Sequence, residues 1–188
     1  IQQQVQTPTR FVSPTYFDTL KLRVVAGRPL TDADTSTSRP VVVVNRSFAQ
    51  RYLGANPLVA RLPMFFGEGR RDCDVVGVVE DMKQADVTDP PAPEIFVSYR
   101  QLPAPLLNGP LIFVVRTPDD PPSQAAMLRL AVREVDADAP VYSIMTMEER
   151  VLASLAKPRL YALLLGAFGC VALLIAGVGL FSVLSYSV

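Results

Sequence analysis

The 188 residues include no histidine. That absence removes Ser-His-Asp triads, Cys-His dyads and histidine-ligated zinc together. Cysteine is nearly absent too: Cys73 lies in a charged stretch and Cys170 about midway along an apolar one. They are not placed to pair, so a disulfide framework is excluded. No Gly-x-x-x-x-Gly-Lys-Ser/Thr run occurs, so no nucleotide is held by a P-loop in this chain. Gly67-Glu68-Gly69 lacks the rest of a dinucleotide fingerprint. Eighteen basic residues balance eighteen acidic ones without forming a basic run, which argues against nucleic acid as a partner. No signal-like segment opens the chain at Ile1, and the sequence reads as a piece of a longer protein. No repeat at a fixed period appears.

A further absence is more informative. From Leu160 to Val188, 29 residues, no side chain is charged. As a helix rising about 1.5 Å per residue, that run would reach roughly 44 Å, against the ~30 Å hydrocarbon core of a bilayer. An all-apolar helix can also be the centre of a large soluble protein, but 159 preceding residues would then have to enclose it on every side. Tyr161 and Tyr186 stand where interfacial aromatics are expected, and Lys157 and Arg159 end the apolar run sharply. Within it, Ala162, Gly166 and Cys170 recur at i, i+4, i+8, and Gly169, Leu173, Ala176 and Gly177 continue a neighbouring face. Small residues on one stripe let a second helix approach closely in lipid, so other membrane helices and lipid are the expected partners. Charge alone leaves the orientation open, because the positive-inside rule compares both flanks.

All charge falls in residues 1–159, at about 23 %, close to the ~25 % of ordinary soluble domains. The chain therefore divides into an α+β domain, residues 1–157, large enough for its own core, and a transmembrane helix, residues 158–188. Pro158 at their junction predicts a kink or break and is the hinge candidate.

Within the first domain, Arg10–Val12 reads as the end of a strand. Ser13-Pro14 starts a short helix to Leu20 that buries Tyr16, Phe17 and Leu20. Leu22–Ala26 is a strand closed by Gly27. Val41–Val44, four β-branched residues in a row, suits a strand buried on both faces. Asn45 caps a helix with Phe48, Tyr52 and Leu53 inside and Gly54 as its stop. Arg61–Phe66 and Cys73–Val79 form a hairpin through the turn Gly67–Arg70. Glu94–Tyr99, Leu111–Arg116 and Val141–Met145 read as further strands, and Pro90–Pro93 and Pro103–Pro110 as connectors. A helix from Pro122 to Val135 faces inward with Ala125, Leu128, Ala131, Val132 and Val135. Thr146 and Glu149 make a capping box for the helix Met147–Lys157. Interleaved elements with hairpin-like strand pairs favour α+β over a doubly wound sheet.

The acidic pairs Asp32/Asp34, Asp72/Asp74, Glu80/Asp81 and Asp136/Asp138 do not continue as a calcium loop, and turn-forming or solvated carboxylates account for them. Asn45-Arg46-Ser47 matches a glycosylation acceptor but coincides with the helix cap. No catalytic, cofactor or metal residue is singled out, and the chain is not expected to be an enzyme.

Several stretches, in this order, resemble one family. They are Val12-Ser13-Pro14-Thr15-Tyr16-Phe17-Asp18-Thr19-Leu20, Gly27-Arg28-Pro29-Leu30-Thr31 with Asp34, Val42-Val43-Val44-Asn45, Phe48-Ala49, and Arg51-Tyr52 with Asn56-Pro57-Leu58. Val75-Val76-Gly77-Val78-Val79-Glu80-Asp81, Pro93-Glu94-Ile95-Phe96-Val97, Thr146-Met147-Glu148-Glu149, Lys157-Pro158-Arg159 and Leu184-Ser185-Tyr186-Ser187-Val188 complete it. Nearly the whole chain is similar to the MacB-like periplasmic domains of FtsX-type ABC transporter permeases, in particular the duplicated orphan permeases of soil bacteria. The departures are Lys21, where glycine is usual, and Pro57-Leu58-Val59-Ala60-Arg61, where a glycine is expected after the apolar residue.

The resemblance implies an extracytoplasmic domain on the periplasmic side of the bacterial inner membrane, between two membrane helices of a permease. It further implies a separate cytoplasmic ATPase, a possible homodimer, and a basic flank beyond Val188 inside the cell. A membrane-anchored sensor or ligand-binding module is the alternative reading.

Overall fold

The computed structural model describes residues 7–66, 69–82, 91–103, 110–118 and 120–186; along the C-terminal helix, side chains are described at 147–150, 152 and 164–179. Contacts group the chain into two units, Ile1–Thr117 and Pro118–Val188.

The first unit is a mixed six-stranded sheet. Its strands are β1 (Thr9–Val12), β2 (Val24–Gly27), β3 (Val41–Asn45), β4 (Arg61–Phe66), β5 (Gly69–Val79) and β6 (Ile95–Ser98). The order is β1-β6-β3-β5-β2, with β4 paired to the other half of β5's outer edge. β1–β6 and β3–β5 are parallel, and the remaining pairs antiparallel.

β3 is central and buried at every position, as its run of valines requires. Val42 and Val44 pack on one face with Phe48, Ala49, Cys73, Val75, Ile95, Val97 and Leu102. Val41 and Val43 pack on the other with Val12, Phe17, Leu30, Val79 and Phe96. Each fully buried valine contributes about 1.5–3 kcal/mol, so β3 anchors both cores.

Two amide side chains finish β3. At its start, Gln101 stands in for a strand: its Oε1 accepts from Val41 N (2.9 Å) and its Nε2 donates to Val41 O (2.9 Å). At its end, Asn45 Oδ1 accepts from Phe48 N and from Glu94 N, both at 2.9 Å, while its Nδ2 donates to Ala92 O (2.8 Å). Asn45 thus caps the turn α2 (Arg46–Phe48), which continues as one π-helical turn, Ala49–Leu53, closed by Gly54 at φ 68°. A side chain this buried and this fully bonded is a structural cap, and no acceptor for a glycan.

The short helix α1 (Tyr16–Thr19) buries Phe17, edge-on to Phe96 with ring centroids 5.3 Å apart. It begins two residues later than Pro14, with Thr15 as its cap residue. It ends in a Schellman arrangement: Leu22 N donates to Phe17 O (2.8 Å) and Lys21 N to Asp18 O (3.1 Å). Lys21 sits at φ 56°, in the left-handed region where glycine is usual.

Two expected strands are absent from the ladders. Leu111–Arg116 has no strand partner among the described residues, and Leu111, Ile112 and Phe113 are exposed. Strand propensity needs a neighbouring edge to act on; instead Arg116 donates twice to Thr19 O, at 2.9 and 2.6 Å, at the end of α1. Val141–Met145 is broken by Ser143 at φ 48°, a conformation no strand accommodates.

The second unit has a turn of 3-10 helix (Pro121–Gln124), α3 (Ala125–Val135) and α4 (Met147–Tyr186). On α3 the half-buried stripe is Ala125, Leu128 and Val132, narrower than the sequence suggested; Ala131 and Val135 are exposed. Residues 1–6, the turn positions Gly67 and Glu68, Pro90, most of the loop Pro103–Pro110, and Ser187 and Val188 lie outside the described residues.

Candidate functional site

α4 is opened by the capping box: Thr146 N donates to Glu149 Oε2 (2.7 Å) and Glu149 N to Thr146 Oγ1 (3.1 Å). Glu148 and Glu149 also place negative charge on the positive end of the helix dipole. The helix then runs 40 residues, roughly 60 Å, without interruption. The break expected at Pro158 is not there. Proline removes one N–H, so only the carbonyl of Ser154 goes without its helical donor, and helix of ample length on both sides carries the chain through. The side chains of Pro158 and Ala162 lie outside the described residues.

Every described residue from 164 to 179 is exposed. At about 100° per residue, Gly166, Gly169, Cys170, Ala176 and Gly177 fall within one arc of roughly 120°, with Leu173 among them. Leu164, Phe168, Val171, Ile175 and Val178 cover the opposite side, and Leu165 borders the arc next to Ala176. A Cβ built on Gly166, Gly169 or Gly177 meets nothing within 4 Å. Five of the six expected packing residues therefore form an open face flanked by bulky side chains. Among the described residues no helix is long and apolar enough to cross a membrane; residues 164–179 reach about 24 Å, short of the ~30 Å core.

The acidic pairs have local roles. Asp34 is buried and holds Arg28 by two bonds of 2.9 Å, while accepting from Thr31 N (2.7 Å) and Thr31 Oγ1 (3.1 Å). Burial pushes the Asp34 carboxyl up, but the hydrogen bonds from Arg28 and Thr31 outweigh it and leave it below the usual carboxylate range. Asp74 bridges Arg39 and Arg61, and Asp72 faces Arg70. Glu80 pairs with Arg23; Asp81 accepts from Ser47 N (2.9 Å) beside the Asn45 cap. Asp136 accepts from Asp138 N. Among the described residues no three metal-ligating side chains gather.

Where β2 gives way to β4 along β5 lies an open recess of about 630 Å³, lined by Gly27, Arg28, Leu58, Arg61 and Asp74 among others. Its cations are already held by Asp34 and Asp74. Gly27 and Gly77 face each other across this seam. A Cβ on Gly27 would stand 2.2 Å from Val76 O, and one on Gly77 2.1 Å from Arg28 O. The sequence marked Gly27 only as a strand end; a second glycine inside a strand pattern, Gly77, was the available sign of a close backbone approach.

The family model described as the MacB-like periplasmic core domain matches residues 2–140. The chain belongs to this family. The periplasmic region of MacB from Actinobacillus actinomycetemcomitans shares the fold, with a TM-score of 0.51 and 20 % identity over 68 % of this chain and 56 % of that one. The chain thus spans little more than half the length of that relative. A permease-protein domain from Porphyromonas gingivalis matches at TM-score 0.45 and 18 % identity, over 77 % of this chain and 70 % of its own. The extracellular domain of the noncanonic ABC-type transporter YknZ from Gram-positive bacteria matches at 0.37 and 22 %, over 48 % and 42 %. No curated protein matches the chain. The MacB-like core ends within the second unit, after α3 and before α4.

Proposed function

We propose that this chain is the outer domain of an ABC transporter permease together with the membrane helix that follows it, and that it couples a cytoplasmic ATPase to movement outside the inner membrane. One succession carries the reading. A MacB-like core over residues 2–140 is followed by a single unbroken helix whose residues from Leu160 onward bear no charge. The backbone from Leu160 to Tyr186 is helical throughout, about 40 Å, and that length supports the membrane reading. These 188 residues hold no P-loop, which fits an ATPase that lies outside them. A stiff helix that follows the outer domain in the chain passes displacement in either direction; Pro158, one hydrogen bond short, is the point of least bending resistance. The face around Gly166 and Gly169 seats against other helices of the permease or a second copy, and the remainder faces lipid.

The test is Gly166→Leu with Gly169→Leu in the full-length permease. Neither leucine meets an atom of its own chain at Cβ, so any effect arises at a neighbouring helix. The expected result is a several-fold loss of permease recovered with its ATPase, with unchanged thermal unfolding of the outer domain; Val171→Leu on the opposite face serves as control. Unaltered complex recovery and transport in the double variant would overturn the reading.

A further inference from the structure

We draw no further inference here: the strongest candidate, the exposed apolar segment Leu111–Val115 that precedes the anchoring of Arg116 at the end of α1, carries nothing, because nothing in the structure shows what covers it.

Discussion

Gly27, Gly77 and Gly54 separate two reasons for a glycine, crowding and backbone strain, and their alanine variants should rank accordingly. Gly77 is crowded without a left-handed backbone: its new Cβ would lie 2.1 Å from Arg28 O and 3.1 Å from Arg28 C, both main-chain atoms. Relief requires β2 to move off β5 by about 1 Å, which strains the bond from Arg28 N to Val76 O (2.9 Å). Overpacking of this kind costs about 1–3 kcal/mol, one weakened hydrogen bond about 1 more, and lost freedom in the unfolded chain returns about 0.4–1. The net for Gly77→Ala is about 2 kcal/mol. Gly27→Ala meets Val76 O at 2.2 Å and also holds φ at +72°, adding about 1–2 kcal/mol of left-handed strain. Gly54→Ala meets nothing within 4 Å, so strain alone remains, about 1–2 kcal/mol. With an unfolding entropy near 0.25 kcal/mol per kelvin for a unit ending at Thr117, Gly77→Ala should lower Tm by about 8 °C, Gly27→Ala by more and Gly54→Ala by less. Thermal melts followed by near-ultraviolet circular dichroism measure this. If Gly77→Ala melts within a degree of the parent, β2 and β5 do not approach closely enough at this seam to exclude a Cβ.

Lys21→Gly should stabilise the first unit by about 0.5–1 kcal/mol, since the left-handed cost of lysine exceeds glycine's entropy cost; a lower Tm would contradict the Schellman assignment. Asp34, whose native pKa is lowered, contributes stability that is present above its unfolded pKa near 4 and lost as pH falls through the native value. Asp34→Asn should therefore cost about 1–2 kcal/mol at pH 7 and little at pH 2 in urea titrations, with the half-exposed Arg28 keeping the figure modest; an equal cost at both pH values would refute the ion-pair role. The Cys73 thiol is pushed up to about 11 by burial, with Asp72 and Asp74 adding to it. It should resist maleimide at pH 8 until urea unfolds the sheet, and the stability tied to its neutral form should fade as pH rises from about 9 toward 11. Rapid native labelling at Cys73 would count against its placement in the core.

The elements legible in the sequence are those whose signals act locally. Four consecutive valines define a strand buried on both faces by composition alone, while the Asn45 cap on Phe48 N and the capping box of Thr146 with Glu149 form between residues three apart. The illegible parts depend on partners distant in sequence. Leu111–Arg116 has the composition of a strand but joins no edge among the described residues, and Gln101 acts as a strand substitute through bonds to Val41, 60 positions away. No local pattern announces either. Ser143 breaks an otherwise good strand run by a backbone angle that serine does not advertise.

Pro158 illustrates the same division at the candidate site. Read locally, a proline ends a helix, and the sequence accordingly splits the C-terminal segment at that residue. Helix propagation is cooperative, however, and one missing donor, worth roughly 3 kcal/mol, competes with a long helical run on one side, eight leucines and four alanines among its residues, and a capped, dipole-matched start on the other. The continuous helix wins, and the small-residue face beyond the proline is thereby fixed in rotation to the capped end at Thr146. Within α4, a broken helix would let Gly166 and Gly169 turn independently of Met147, whereas an unbroken one holds that face in fixed phase with the capped start, and the coupling role proposed above relies on that phase.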